Sequence, residues 1–129
     1  ALCGKEASVG IEQLNGFQLE AVHFGTAFYN LVFDGEKDGK ATTFHVGTNY
    51  YISKSIDHLE DLSENISVLL WGFLGETIQV TKIVEKENFR AIEFIFSNRK
   101  NFIVWQESDA IDNLVIVTNP NSKEWFVEL

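Results

Sequence analysis

The sequence predicts an α+β domain: a mostly antiparallel curved sheet or open barrel, with one helix near the middle of the chain. Three observations predict it. Apolar and polar residues alternate over most of the chain, the period of a half-buried strand. Turn-forming clusters, above all Asp34-Gly35 and Asp38-Gly39, separate the alternating stretches. One window only, Ile56, Leu59, Leu62 and Ile66, carries apolar residues at helical spacing.

Each element follows from its residues. Phe17 to Phe24 opens with Phe17, Leu19 and Ala21 on one face. Phe28 to Phe33 is aromatic and β-branched and reads as a strand. Asp34 to Lys40 reads as a turn, Ala41 to Val46 as the return strand, and Asn49 to Ile52 as its continuation past Gly47. A helix is expected from about Ser55 to Leu70, with Ser55 or Asp57 as cap and Gly72 and Gly75 ending it. Thr77 to Glu85, Phe89 to Phe96 and Phe102 to Trp105 follow as strands. Phe94 shares a face with Ile92 and Phe96. Leu114 to Thr118 is continuously apolar up to Thr118, which predicts a strand buried on both faces. Trp125 to Leu129 closes the sheet.

The whole chain, 1–129, reads as one domain. Its hairpins resemble each other. Leu31 and Phe33, then Phe44 and Val46, match Ile92 and Phe94, then Phe102 and Val104, with Gly16 and Gly75 preceding them. Two readings stay open: diverged halves (14–52 and 74–129) joined by the helix, or two ordinary hairpins that look alike.

Composition narrows the function. Ten Lys and Arg stand against 19 Asp and Glu, a net charge of −9. That charge repels phosphate backbones and anionic membrane surfaces and favours a basic partner, or simply solubility. No apolar run is long enough to span a bilayer. The start, Ala1-Leu2-Cys3-Gly4-Lys5-Glu6, lacks a signal-peptide pattern. The single cysteine, Cys3, excludes an intrachain disulfide and a cysteine-based zinc cluster, and suits a reducing compartment; a cytoplasmic location is expected.

Catalytic motifs are missing. There is no Gly-x-Ser-x-Gly and no glycine-rich phosphate loop. His23 and His45 fall on strands and could face one another as an acid–base pair, against the plainer reading of two half-buried strand residues. His58 belongs to the helix surface. No metal site is expected, because neither His-x-His nor a helical histidine pair occurs. Asp34, Glu36, Asp38 and Gly39 imitate the start of a calcium loop, but His45 stands where the bidentate glutamate belongs. Neither an enzyme nor a cofactor is expected. A small apolar ligand held inside a phenylalanine-lined barrel is the alternative function.

The acidic residues are the clearest signal. Asp57, Glu60, Asp61 and Glu64 fall at i, i+3, i+4 and i+7, one stripe of the expected helix. Glu107, Asp109 and Asp112 form a second cluster in a loop. The plain reading is a solvated surface; the functional one is a carboxylate face that receives Lys and Arg from a partner. The stretch from Leu74-Gly75-Glu76-Thr77-Ile78 through Phe94-Ile95-Phe96 to Phe102-Ile103-Val104 is similar to the hairpin pattern of bacterial immunity proteins from contact-dependent and polymorphic toxin systems. The resemblance implies a protein without enzymatic activity that binds and neutralises one cognate toxin domain, often a basic nuclease. The acidic face would then compete with nucleic acid for the toxin's basic groove. Tyr50, Tyr51 and Trp71 flank the acidic segment and are the expected aromatic centre of that contact.

Overall fold

The computed structural model describes residues 10–62, 65–120 and 122–129. Among the described residues, nine strands form two antiparallel sheets. The first sheet has the order β1-β2-β3-β8-β9: β1 Gln18–Phe24, β2 Tyr29–Lys37, β3 Lys40–Thr48, β8 Ile116–Asn119 and β9 Ser122–Glu128. The second has the order β4-β7-β6-β5: β4 Tyr51–Ser53, β5 Ile78–Glu85, β6 Phe89–Phe96 and β7 Asn101–Glu107. A short helix α1, Ile66–Trp71, and a 3₁₀ turn, Ile11–Leu14, complete the described elements. The sheets do not close into a barrel, so of the two expected shapes the curved sheet is the one found.

Alternation builds the core. Leu31 pairs with Val46 and Phe33 with Phe44 on the inner face of the first sheet; Ile92 pairs with Val104 and Phe94 with Phe102 on that of the second. All eight are fully buried. Phe33 and Phe94 stack across the interface with ring centres 6.0 Å apart, and Phe102 lies 5.1 Å from Phe94. Burial of each such side chain contributes about 1.5–3 kcal/mol.

The two sheets are also stitched along one edge. The Gly16 and Gly75 amides donate to the Ile78 and Leu19 carbonyls, at 2.7 and 2.8 Å. The Leu19 and Ile78 amides donate to the Glu76 and Phe17 carbonyls, at 2.9 and 2.7 Å. These four bonds are reciprocal, as a local two-fold relation requires. Gly16 and Gly75 adopt φ of 88° and 84°, a region open to glycine at little cost. A bulge then follows at the same distance in each segment, between Leu19 and Ala21 and between Ile78 and Val80. The segments that follow Gly16 and Gly75 thus share a local backbone geometry.

Several expectations need correction. Among the described residues, the helix expected over about 55–70 spans Ile66–Trp71 alone. Residues 55–62 instead turn back over the second sheet. The Ser53 hydroxyl donates to the His58 carbonyl (3.1 Å) and accepts from the Glu60 amide (3.1 Å), and the Asp57 amide donates to the Ser55 hydroxyl. Such local side-chain bonds compete with a helix, and clustered like charges weaken one further. The helical stripe of carboxylates therefore does not exist: Asp57, Glu60 and Asp61 lie on non-helical chain, and Glu64 is outside the described residues. His58 is exposed as expected, but in a turn.

The strand after Thr48 does not continue β3. The chain crosses over and β4 joins the other sheet. β8 is not buried on both faces, since its Ile116 is 41 % exposed; β7 is, with Phe102, Ile103 and Val104 all fully buried. Outward-facing Ile103 and Ser53 opposite it lie where residues 54–62 fold back on the sheet, tied down at Ser53 and Trp105. The expected turn 34–40 shrinks to Asp38-Gly39, since Lys37 already pairs with Lys40. Asp34 and Glu36 are strand residues, so no calcium-type loop forms there. Cys3 lies outside the described residues.

Candidate functional site

One end of the molecule collects the carboxylates that the sequence leaves far apart. Its frame is the β3–β4 crossover. Thr48, buried, donates its hydroxyl to the Leu114 carbonyl at 2.8 Å and accepts from the Tyr50 amide at 3.1 Å. That ties the crossover to the loop after β7. Gln106, fully buried, donates from Nε2 to the Asp112 carbonyl and accepts from Arg90 Nη1, both at 3.2 Å, fixing the same loop from beneath. Most buried polar groups in proteins are bonded in this way.

Aromatic rings line this end. Tyr51 sits opposite Trp105 on the outer face of the second sheet, ring centres 4.8 Å apart, and Tyr50 meets Tyr51 edge-on at 6.3 Å. Trp105 donates its indole N–H to the Glu60 carbonyl at 2.8 Å, which anchors residues 54–62. Tyr29 is buried and donates its hydroxyl to the Tyr50 carbonyl at 3.4 Å.

The electrostatics identify which carboxylates gather here. Burial and then the charge of Asp61 hold the Tyr29 phenol far above the usual tyrosine range. Tyr50 is also held above that range, by desolvation first and then by Asp112, with Glu107 adding to it. Asp61, from the segment after β4, Glu107, which is the last residue of β7 and not a loop residue as expected, and Asp112, from the β7–β8 connection, thus act on two adjoining tyrosines. Asp109 belongs to the same group by a different route. Ser108 donates its hydroxyl to the Glu87 carbonyl at 2.8 Å and its amide to the Asn88 carbonyl at 3.2 Å. Glu87, Asn88, Glu107, Ser108 and Asp109 then line one open hollow of about 680 Å³. Glu60 is half-buried with Oε1 3.5 Å from His58 Nε2, and Asp57 is exposed in the neighbouring turn.

Trp71 does not join them. It is 76 % exposed on α1, and the residue two positions on, Phe73, packs on Phe96 and Phe102 at the opposite end of β7. In its place the structure supplies residues that sequence reading passed over. Ile111, 98 % exposed, stands in the chain between Asp109 and Asp112. Phe28 and Ile116, both exposed, border a groove of about 450 Å³ that also takes in Asn30, Gly47, Asp112 and Asn113. Ile111 had a visible signal, a lone isoleucine in an acidic loop; Phe28 and Ile116 had none, since both read as strand interior.

His23 and His45 do meet, on the outer face of the first sheet, with ring centres 6.3 Å apart and planes at 83°. Among the described residues no group of three or more His, Cys, Asp or Glu is placed to hold a metal ion, and no helix is long and apolar enough to cross a membrane. The interior between the sheets is occupied by Phe33, Phe44, Phe94, Phe96 and Phe102, all fully buried. What the acidic end offers chemically is negative potential around an aromatic and aliphatic surface. No family model matches the chain, and neither the curated proteins nor the solved structures contain a match to it.

Proposed function

We propose that the chain is an immunity-type inhibitor that binds a cationic protein toxin, a basic nuclease domain by preference, through this acidic end. The observation that carries the reading is that Asp61 acts on Tyr29 while Asp112 and Glu107 act on Tyr50, whose carbonyl Tyr29 bonds, with exposed Ile111 next to Asp112 in the chain. Carboxylates on fixed backbone steer a basic partner and reject acidic ones, while Ile111 and the half-buried Tyr50 and Tyr51 supply the desolvated contact. The net charge of −9 works in the same direction at long range. The inhibitor performs no chemistry; it occupies the basic groove that the toxin's nucleic-acid substrate needs.

The test is binding to a basic nuclease domain encoded beside this gene, before and after Asp61→Lys, Glu107→Lys and Asp112→Lys together. Removing and reversing three interfacial charges should lower affinity by a hundredfold or more, on the order of 1 kcal/mol or more per charge, and flatten the salt dependence. Glu36→Lys, at the far β2–β3 hairpin, should leave affinity nearly unchanged. Equal affinity for the triple variant, or turnover of a substrate by the isolated protein, would refute the proposal.

A further inference from the structure

The outer face of the first sheet carries a feature that binding a cationic partner does not use. His23 on β1 and His45 on β3 lie on strands separated only by β2. The pairing places both on the outward face: His23 lies opposite Asn30, and His45 lies opposite both Val32 and Thr118. The two imidazoles lean toward each other until their centres are 6.3 Å apart, edge to face. Val32 shares that outward face and yet is only 7 % exposed, which is what two rings closing above it produce. His23 itself is exposed and His45 half-buried, so both rings stay open to solvent.

That separation is within reach of a shared ion. Zinc sits about 2.0–2.1 Å from an imidazole nitrogen, hence about 3.2 Å from the ring centre, so two rings on one ion have centres about 5–6.4 Å apart depending on the angle between them. The observed distance lies at the wide end, and a small side-chain rotation on fixed strands closes the angle toward tetrahedral. Borderline-soft first-row ions prefer imidazole, whereas magnesium and calcium prefer oxygen. Asn30 and Thr118, which flank the pair, belong to the adjoining groove and add neutral oxygen donors at its edge.

We propose that His23 and His45 together chelate a single first-row transition ion, Zn²⁺ or Cu²⁺, on the outer face of the first sheet. With no third His, Cys, Asp or Glu beside them among the described residues, the remaining positions fall to water or to a ligand in the groove. The site is independent of the toxin-binding reading and stands or falls separately.

Calorimetric titration of the whole protein with zinc chloride and with copper sulfate tests it, alongside magnesium chloride. One ion per chain is expected, copper tighter than zinc, and no magnesium binding at this site. A chelate predicts a specific pattern: His23→Ala and His45→Ala should each weaken binding by about a hundredfold, and the double variant should lose little more, because one imidazole alone holds the ion poorly. His58→Ala should bind as the parent does. Ring-nitrogen NMR spectra of the unaltered protein give the same answer without substitution: zinc should shift His23 and His45 and leave His58 in place. Undiminished zinc binding by the double variant would assign the ion to carboxylates and overturn the proposal. So would losses that simply add, or ring signals that do not move.

Discussion

Gly35 offers a sharp test of the packing. It lies on β2 and its missing side chain is where the Phe17 ring sits: a Cβ there would meet three ring carbons at 2.8 to 2.9 Å. Phe17 has no room to retreat. It is 3 % exposed, Phe44 lies 5.1 Å behind it, and its backbone is held by the Leu14 carbonyl at 2.9 Å and the Ile78 amide at 2.7 Å. Gly35→Ala therefore overpacks the core, at a cost of about 1–3 kcal/mol. Against this, alanine lowers the entropy of the unfolded chain, a gain of about 0.4–1 kcal/mol. The net result is a loss of about 1–2 kcal/mol. Phe17→Ala alone costs about 3–5 kcal/mol, but it removes every ring atom in question. In that background Gly35→Ala should be neutral or slightly stabilising, a coupling of about 1–3 kcal/mol. Urea unfolding followed by tryptophan fluorescence measures all four proteins. A Gly35→Ala protein as stable as the parent, or additive effects in the double variant, would refute the argument.

Two further outcomes follow from the acidic end. Thr48→Val leaves the Leu114 carbonyl and the Tyr50 amide without the hydroxyl that now serves both, so it should cost about 1–3 kcal/mol in urea unfolding. Amide exchange should speed up at Tyr50 before it does in the core strands. Alkali should unfold the protein through its tyrosines. Tyr29 and Tyr50 are both raised above their usual value in the folded state, so the unfolded chain loses these protons first; stability is intact below about pH 10 and falls as pH rises beyond it. Phenolate absorbance should show Tyr29 ionising only with unfolding, and Tyr29→Phe should reduce the alkaline loss.

Local periodicity made most strands legible. Leu31, Phe33, Phe44 and Val46 alternate, and so do Ile92, Phe94, Phe102 and Val104, because each strand has one face on the core and a two-residue period cannot serve a helix. The same rule misled at Ile56, Leu59 and Leu62. Their three- and four-residue spacing is compatible with a helix, but the segment's hydrogen bonds go to Ser53 and Trp105. Ser53 lies close in sequence, yet its side chain is available to this loop only because β4 is docked on β7. The acidic cluster was half visible for the same reason. Glu107 ends β7 and Asp109 and Asp112 follow within five residues, whereas Asp61 reaches them only through the crossover at Thr48.

The order of residues along the chain was enough to set the strand periodicity, a turn somewhere within 34–40, the phenylalanine core and the strong negative charge, since each depends on neighbours a few positions apart. Only the folded arrangement decided that the β3–β4 crossover changes sheets, that β7 rather than β8 is covered on both faces, that Asp61 shares an end with Asp112, and that His23 meets His45. Those outcomes come from contacts between segments tens of residues apart. Their energy exists only after the sheets have paired, and so it leaves no period in the sequence.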